Sequence, residues 1–136
     1  MKYYHEKKDI EDMLNVSYED FKKWENTGKQ KDAYLRDAAN KLVGAAEGMA
    51  SNLLERPVTN YGEFERVFKS RLKAQELFSK LDKLHVFFYN GLLQEQSYAE
   101  MEYTYHKARK ELLHFLSVVY KEGNQVQVKR NKLVEV

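Results

Sequence analysis

The sequence contains no cysteine, one proline and six glycines in 136 residues. Without cysteine the chain has neither disulfide bonds nor thiolate metal ligands, and we expect a cytoplasmic protein. So little proline and glycine favours long helices over a sheet with many strands and turns. No stretch reaches the roughly 18 apolar residues that a membrane-spanning helix needs. The charged N-terminus, MKYYHEKKDIEDM, is also unlike a signal peptide, so we expect no membrane association.

The net charge of +2 is small but unevenly distributed. Residues 1–28 hold five Lys against seven Asp and Glu, whereas residues 106–136 hold seven Lys and Arg against three Glu. A basic C-terminal region is compatible with an anionic partner such as RNA, and equally with an ordinary solvated face. Charge alone therefore leaves the partner open.

Apolar residues recur at spacings of three and four along four segments, which is the pattern of amphipathic helices. The stripes are Ile10, Leu14, Tyr18, Phe21 and Trp24; Leu35, Ala38, Leu42, Ala45 and Met49; Phe64, Val67, Phe68, Leu72, Leu77, Phe78, Leu81, Leu84 and Phe88; and Tyr98, Met101, Tyr105, Ala108, Leu112, Phe115 and Val119. The expected helix ends are Asn26-Thr27-Gly28, Arg56-Pro57, Asn90-Gly91 and Gly123-Asn124, and Asn60 is the expected N-cap of the third helix. Long segments with short connections predict an all-α fold, an up-down antiparallel four-helix bundle over residues 1–123.

Residues 124–136 form a tail with a different pattern. Val126, Val128, Val134 and Val136 share parity, which favours a short strand or hairpin over part of this tail, with a frayed tail as the alternative. In the second helix, Gly44 and Gly48 each cost about 1 kcal/mol relative to alanine. Their simplest compensation is the close approach of a neighbouring helix, and the alternative is a ligand or a second subunit at that surface.

Arg109 and His114 are the candidate catalytic residues. Their spacing, Arg-x4-His, is the one that the HEPN superfamily of small helical bundles uses for metal-independent RNA cleavage. There the Arg would hold the scissile phosphate while the His polarises or deprotonates the 2′-hydroxyl. Residues five apart on an ideal helix lie about 140° from each other, however, so both face one substrate only if the helix is distorted. The alternative is an exposed Arg and a His at the edge of the apolar stripe.

His106 is a candidate ligand-binding residue, because it lies one turn before Arg109 on the same helix face. Glu102 lies four residues before His106, and the three side chains are expected to form a surface polar cluster. A single Glu-His pair is too little for a metal site, so we expect no metal and no cofactor.

The segment Lys83–Gly91, KLHVFFYNG, contains two further candidate ligand-binding residues, His85 and Tyr89. By periodicity Leu84 and Phe88 are core residues, and Phe87 lies at the core margin or in a subunit contact. His85 and Tyr89 are four residues apart, so their polar ends can meet near the C-terminus of the helix, where the helix dipole favours a protonated imidazole. The alternative is a structural histidine without a ligand.

The segment DAANKLVGAAEGMASNLL resembles the alanine-rich second helix of the archaeal PaREP1-type proteins. Leu84, His85, Phe88 and Tyr89 resemble their Leu-His-x-x-Phe-Tyr segment, and the likeness spans roughly residues 30–116. That family is grouped with the HEPN-like helical bundles. The resemblance implies a HEPN-like fold, and it implies that the catalytic pair usual in HEPN proteins is absent.

Three functions remain open at this point. The first is a non-catalytic HEPN-like binding module that associates with RNA, a nucleotide or a protein, as a homodimer. The second is a metal-independent, toxin-like ribonuclease with Arg109 as phosphate binder and His114 as base. The third is a purely structural protein whose helices build an oligomer.

Overall fold

The protein is all-helical. A computed structural model describes residues 5–131, with the side chains of Val118 and residues 121–131 outside that description, and it contains no strand in this range. The helices are α1 (Lys7–Asn26), α2 (Asp32–Leu54), α3 (Tyr61–Arg66), α4 (Gln75–Asn90) and α5 (Tyr98–Asn131). Helices α1, α2 and α4 end at or within two residues of the predicted signals, which are Asn26-Thr27-Gly28, Arg56-Pro57 and Asn90-Gly91. None of the helices in the described range combines the length and the apolar composition needed to cross a bilayer.

Helices α1 and α2 pack closely, which explains the glycine at position 48 of α2 but does not require the one at position 44. A Cβ on Gly48 would lie 2.6 Å from Cδ1 of the buried Ile10, and one on Gly44 would lie 3.5 Å from Cε of Met13. Only glycine at position 48 therefore allows α1 to pack this closely against α2. The predicted close approach of a neighbouring helix is confirmed.

Tyr105 of α5 joins three helices through one buried polar contact. Its ring stacks on Phe21 of α1 at 4.9 Å between centroids, and its hydroxyl lies 2.7 Å from the Ser17 hydroxyl. Ser17 gives its only hydroxyl proton to the carbonyl oxygen of Ala38 in α2, at 2.7 Å, so Tyr105 is the donor to Ser17. Burial raises the pKa of Tyr105 to about 12, so the hydroxyl keeps its proton at neutral pH.

The prediction of one continuous third helix is wrong. Asn60 is its N-cap as predicted, since its side chain accepts from the backbone N–H of Glu63 at 2.9 Å. The helix then passes into a π-helical turn at Val67–Arg71 and breaks before α4. The rings of Phe64 and Phe78 are 5.5 Å apart, whereas fourteen residues of straight helix would separate them by about 21 Å. The chain therefore folds back, so that α3 packs against α4.

The predicted roles of Phe87 and Phe88 are reversed. Leu84 is buried as predicted, but Phe87 is the core residue, with 1% of its surface exposed, and Phe88 is only partly buried. The Phe87 ring contacts Tyr98 at the start of α5, at 6.5 Å between centroids. Arg36 of α2 donates from Nε and Nη2 to the carbonyl oxygen of Phe88, at 3.0 and 2.7 Å. Phe87, rather than Phe88, therefore packs in the core beside the start of α5.

The predicted end of the last helix at Gly123-Asn124 is also wrong. Helix α5 continues to Asn131, so Val126 and Val128 lie in a helix rather than in a strand. A single helical glycine costs only about 1 kcal/mol, and the flanking Lys and Gln residues favour a helix. Val134 and Val136 lie outside the described residues.

Candidate functional site

One face of α5 points away from the other helices and carries positive charge. Its exposed residues between Tyr103 and Ser117 are Tyr103, His106, Lys107, Lys110, Leu113, His114 and Ser117. At 100° per residue these positions fall within a sector of about 120°, directly opposite the buried side of the helix. We call this set the α5 outer face. It contains two lysines and two histidines and has no carboxylate.

The three acidic residues of α5 that precede Ser117 lie at the edges of that face and are paired with lysines of other elements. Glu100 pairs with Lys83 at 4.0 Å, Glu102 with Lys29 at 3.2 Å, and Glu111 with Lys80 at 3.3 Å. Each pairing ties a glutamate to a neighbouring part of the fold. Among the described residues, Lys107 and Lys110 of the α5 outer face form no ion pair with a glutamate of their own helix.

Tyr103 and Lys107 combine an aromatic ring with a charge on the α5 outer face. Tyr103 is 62% exposed, and the Lys107 ammonium lies 5.8 Å from the centroid of its ring. The two residues are one helical turn apart, which brings the side chains together. An exposed ring beside a cation can stack on a base while the ammonium contacts a phosphate.

The predicted catalytic residues point in different directions. The Arg109 guanidinium lies over the Tyr18 ring of α1, 4.3 Å from its centroid, and Nε of Arg109 is buried without a hydrogen-bond partner among the described residues. His114 is exposed and contacts the ring of Phe115 at 5.8 Å between centroids. No contact in the described part of the chain joins Arg109 to His114.

The polar cluster predicted around His106 is likewise dispersed. The His106 ring meets Phe21 edge-on at 4.6 Å between centroids, although most of the side chain stays exposed. Glu102 pairs with Lys29, and Arg109 lies over Tyr18. All three side chains therefore contact α1 or the turn that follows it, and His106 alone also belongs to the α5 outer face. The described residues contain no group of three or more His, Asp or Glu able to hold a metal ion.

His85 and Tyr89, in contrast, do lie together. Their rings are edge-to-face with centroids 5.0 Å apart, and His85 also stacks on Tyr61 of α3 at 4.6 Å. The Tyr61 hydroxyl donates to Oδ1 of Asp82 at 2.7 Å. Burial and this hydrogen bond both raise the pKa of Tyr61, so its hydroxyl remains protonated. Three rings and a carboxylate thus form one cluster between α3 and α4.

Glu47 of α2, which belongs to no motif in the sequence, lies close to this cluster. The carboxylate is partly buried and makes no hydrogen bond or ion pair with any residue that the structure describes. Burial raises the pKa of Glu47, and the positive charge of a protonated His85 opposes that rise. No sequence signal identifies Glu47, because its burial depends on the fold-back of α3.

The α5 outer face, unlike Glu47, does have a sequence signal. Tyr103, Lys107, Lys110 and His114 follow one another at intervals of four, three and four, which is the spacing of one helix face. Of these four residues, the Arg-x4-His motif includes only His114. In comparisons with known proteins, no family model, no curated protein and no solved structure matches the chain.

Proposed function

We propose that the protein is a non-catalytic helical binding module that holds single-stranded RNA on the α5 outer face. The observation that carries the proposal is the separation of charge on α5, where the lysines face outward and each glutamate up to Ser117 is paired at the edge. Lys107 and Lys110 form no ion pair with a described carboxylate, since the nearby Glu111 pairs with Lys80, and both ammonium groups can therefore bind phosphate. The exposed Tyr103 adds a stacking surface for bases.

The position of the Arg109 side chain favours a binding role over RNA cleavage. Its guanidinium packs on Tyr18 at the seam between α1 and α5, on the side of the helix away from His114. Cleavage by this pair needs both side chains at one phosphate and one 2′-hydroxyl. Binding by the α5 outer face needs neither Arg109 nor a distortion of the helix.

The proposal includes a HEPN-like, up-down order of the four long helices. Contacts support this order. The start of α2 meets the start of α5 through Asp32 and Tyr98, and the end of α2 meets Tyr120 of α5 through Asn52. These contacts make α2 and α5 parallel. The carbonyl of His5, just before α1, accepts from Tyr120 at 3.1 Å, which makes α1 antiparallel to α5.

We extend the proposal to a homodimer. Its support is a shallow hollow of about 300 Å³ on α1 and α2, lined by Asp12, Met13, Val16 and Lys41. Val16 is 42% exposed there, which gives a second copy an apolar surface to cover. Light scattering that finds only monomer at high concentration would remove the dimer while leaving RNA binding on one chain unaffected.

The test is binding of a labelled single-stranded RNA, followed by fluorescence anisotropy. The variant Lys107→Gln/Lys110→Gln removes both lysines of the α5 outer face. Its control, Lys7→Gln/Lys8→Gln, removes the same charge from exposed positions on α1. We expect the first variant to bind at least about tenfold more weakly, since each lost phosphate contact reduces affinity strongly at low salt.

Equal loss in the two variants would mean that net charge, not this face, governs binding, and it would reject the proposed site. Absence of RNA binding by the unmodified protein would reject the function. Combined with a stable oligomer in light scattering, that result would favour the purely structural role instead.

A further inference from the structure

A cavity of about 450 Å³ lies between the N-terminal part of α1, the second half of α2 and the segment that leads into α3, and no residue of α5 lines it. Its lining includes His5, Met13, Glu47, Val58, Thr59 and Tyr61. This volume is in the range of small-molecule sites. Neither lysine nor arginine occurs in this lining.

The loop wall of the cavity is fixed by hydrogen bonds. Ser51 accepts from the backbone N–H of Val58 at 3.2 Å and donates to the carbonyl oxygen of Glu47 at 3.0 Å. The N–H and the hydroxyl of Thr59 both donate to Oε1 of Glu63, at 2.9 and 3.0 Å. These bonds hold the segment before α3 in place without a ligand. A cavity with a prearranged wall loses less entropy on binding.

The Arg56 guanidinium strengthens the same wall by pairing with Glu63 in a two-pronged contact. This hydrogen bond, with that from Thr59, lowers the pKa of Glu63 to about 2. Glu63 is therefore ionised and fully engaged at neutral pH, and so is Arg56. Neither group is available to neutralise Glu47.

Glu47 is the one acidic side chain in the lining, and no described residue bonds to its carboxylate. A partly buried carboxylate that accepts no hydrogen bond has lost part of its hydration without a bonded partner in exchange. His85 influences Glu47 through space but forms no hydrogen bond or ion pair with it. A ligand with an N–H donor and a positive charge would supply the missing partner.

The rest of the lining suits a short apolar body. Met13, Pro57 and Val58 supply aliphatic surface, and the Tyr61 ring supplies an aromatic one. Tyr61 cannot turn away easily, because its hydroxyl is bonded to Asp82 and His85 stacks on its ring. Aromatic rings attract cations as well as apolar groups.

We propose that this cavity binds a small organic cation, an alkylamine or alkylguanidine, with its charged end on Glu47 and its alkyl body against Met13, Val58 and Tyr61. This site uses none of the residues of the α5 outer face. The test of this site is therefore independent of the test of RNA binding.

The test is a titration of the full chain with n-butylguanidinium, followed through backbone amide chemical shifts. Its matched control is n-butylurea, which has nearly the same shape but no charge. We expect saturable shifts at Gly44, Gly48 and Thr59 with the guanidinium and none with the urea. Shifts that fail to saturate, or equal shifts with both compounds, would overturn the proposal.

Two variants locate the charge that the ligand needs. Glu47→Gln should weaken n-butylguanidinium binding at least about tenfold, because it removes a charge-assisted hydrogen bond. Glu65→Gln is the control, since Glu65 also lies near Tyr61 but pairs with Lys69 and is not part of this lining. A thermal melt of each variant confirms the fold. Unchanged binding in Glu47→Gln, or equal loss in both variants, would contradict the site.

Discussion

Arg109 lies over the ring of Tyr18, with its guanidinium carbon 4.3 Å from the ring centroid. This contact joins α5 to α1 and fixes the direction of the side chain. His114, five residues further along, belongs to the exposed outer face of the same helix. Arg109 and His114 have the spacing of a catalytic motif, but Arg109 packs against α1 whereas His114 is exposed to solvent.

We therefore expect purified protein to leave single-stranded RNA intact over hours in the absence of metal. Arg109→Ala should lower stability by about 1 kcal/mol through loss of packing on Tyr18, and His114→Ala should change stability by less than about 0.5 kcal/mol. Denaturing gels of the RNA and thermal melts of the variants check both statements. Cleavage by the unmodified protein that disappears in each variant would establish the ribonuclease instead.

Glu47→Gln should stabilise the protein at neutral pH. Burial raises the pKa of Glu47 above its ordinary value of 4.5, so ionisation opposes folding and stability falls as pH rises through the raised pKa. Glutamine has no such penalty. Because Glu47 is only partly buried, we expect a gain at pH 7 of less than about 1 kcal/mol, and no difference at pH values below its ordinary pKa of 4.5. Urea unfolding at several pH values measures it, and equal stability of both proteins at pH 7 would contradict the unpartnered state of Glu47.

The two glycines of α2 should respond oppositely to alanine. Gly44→Ala places a methyl at ordinary contact distance from Met13 and gains about 1 kcal/mol of helix propensity. Gly48→Ala places its methyl 2.6 Å from Cδ1 of the buried Ile10 and should cost about 1–3 kcal/mol from overpacking. Denaturant unfolding compares the two variants. Equal effects would mean that α1 does not approach α2 as described.

Phe87→Ala should cost about 3–5 kcal/mol, the usual loss for a fully buried phenylalanine. Phe88→Ala should cost less than half as much, because Phe88 is only partly buried and its main tie to α2 is a backbone carbonyl held by Arg36. Chemical unfolding of the two variants distinguishes them. A larger loss of stability in Phe88→Ala than in Phe87→Ala would mean that Phe88 is the core residue, as the periodic pattern predicts.

The break between α3 and α4 could not be predicted from the sequence pattern. The apolar stripe from Phe64 to Phe88 reads as one helix because both sides of the break are apolar at helical spacing. The π-helical turn and the left-handed Lys73, with φ of +53°, leave no comparable signal. Once the chain folds back there, Tyr61 meets His85 and Glu47 becomes partly buried.

Local features such as the Asn60 cap and the end of α4 at Gly91 were predictable because they depend only on neighbouring residues.

The salt dependence of RNA binding tests the central claim most directly. For a single strand, each phosphate contact contributes about 0.7 to the slope of log affinity against log salt concentration. Removing both lysines in Lys107→Gln/Lys110→Gln should therefore reduce the slope by about 1.4. The Lys7→Gln/Lys8→Gln control should keep the slope of the unmodified protein. The same slope for all three proteins, or binding that ignores salt altogether, would contradict phosphate recognition by the α5 outer face.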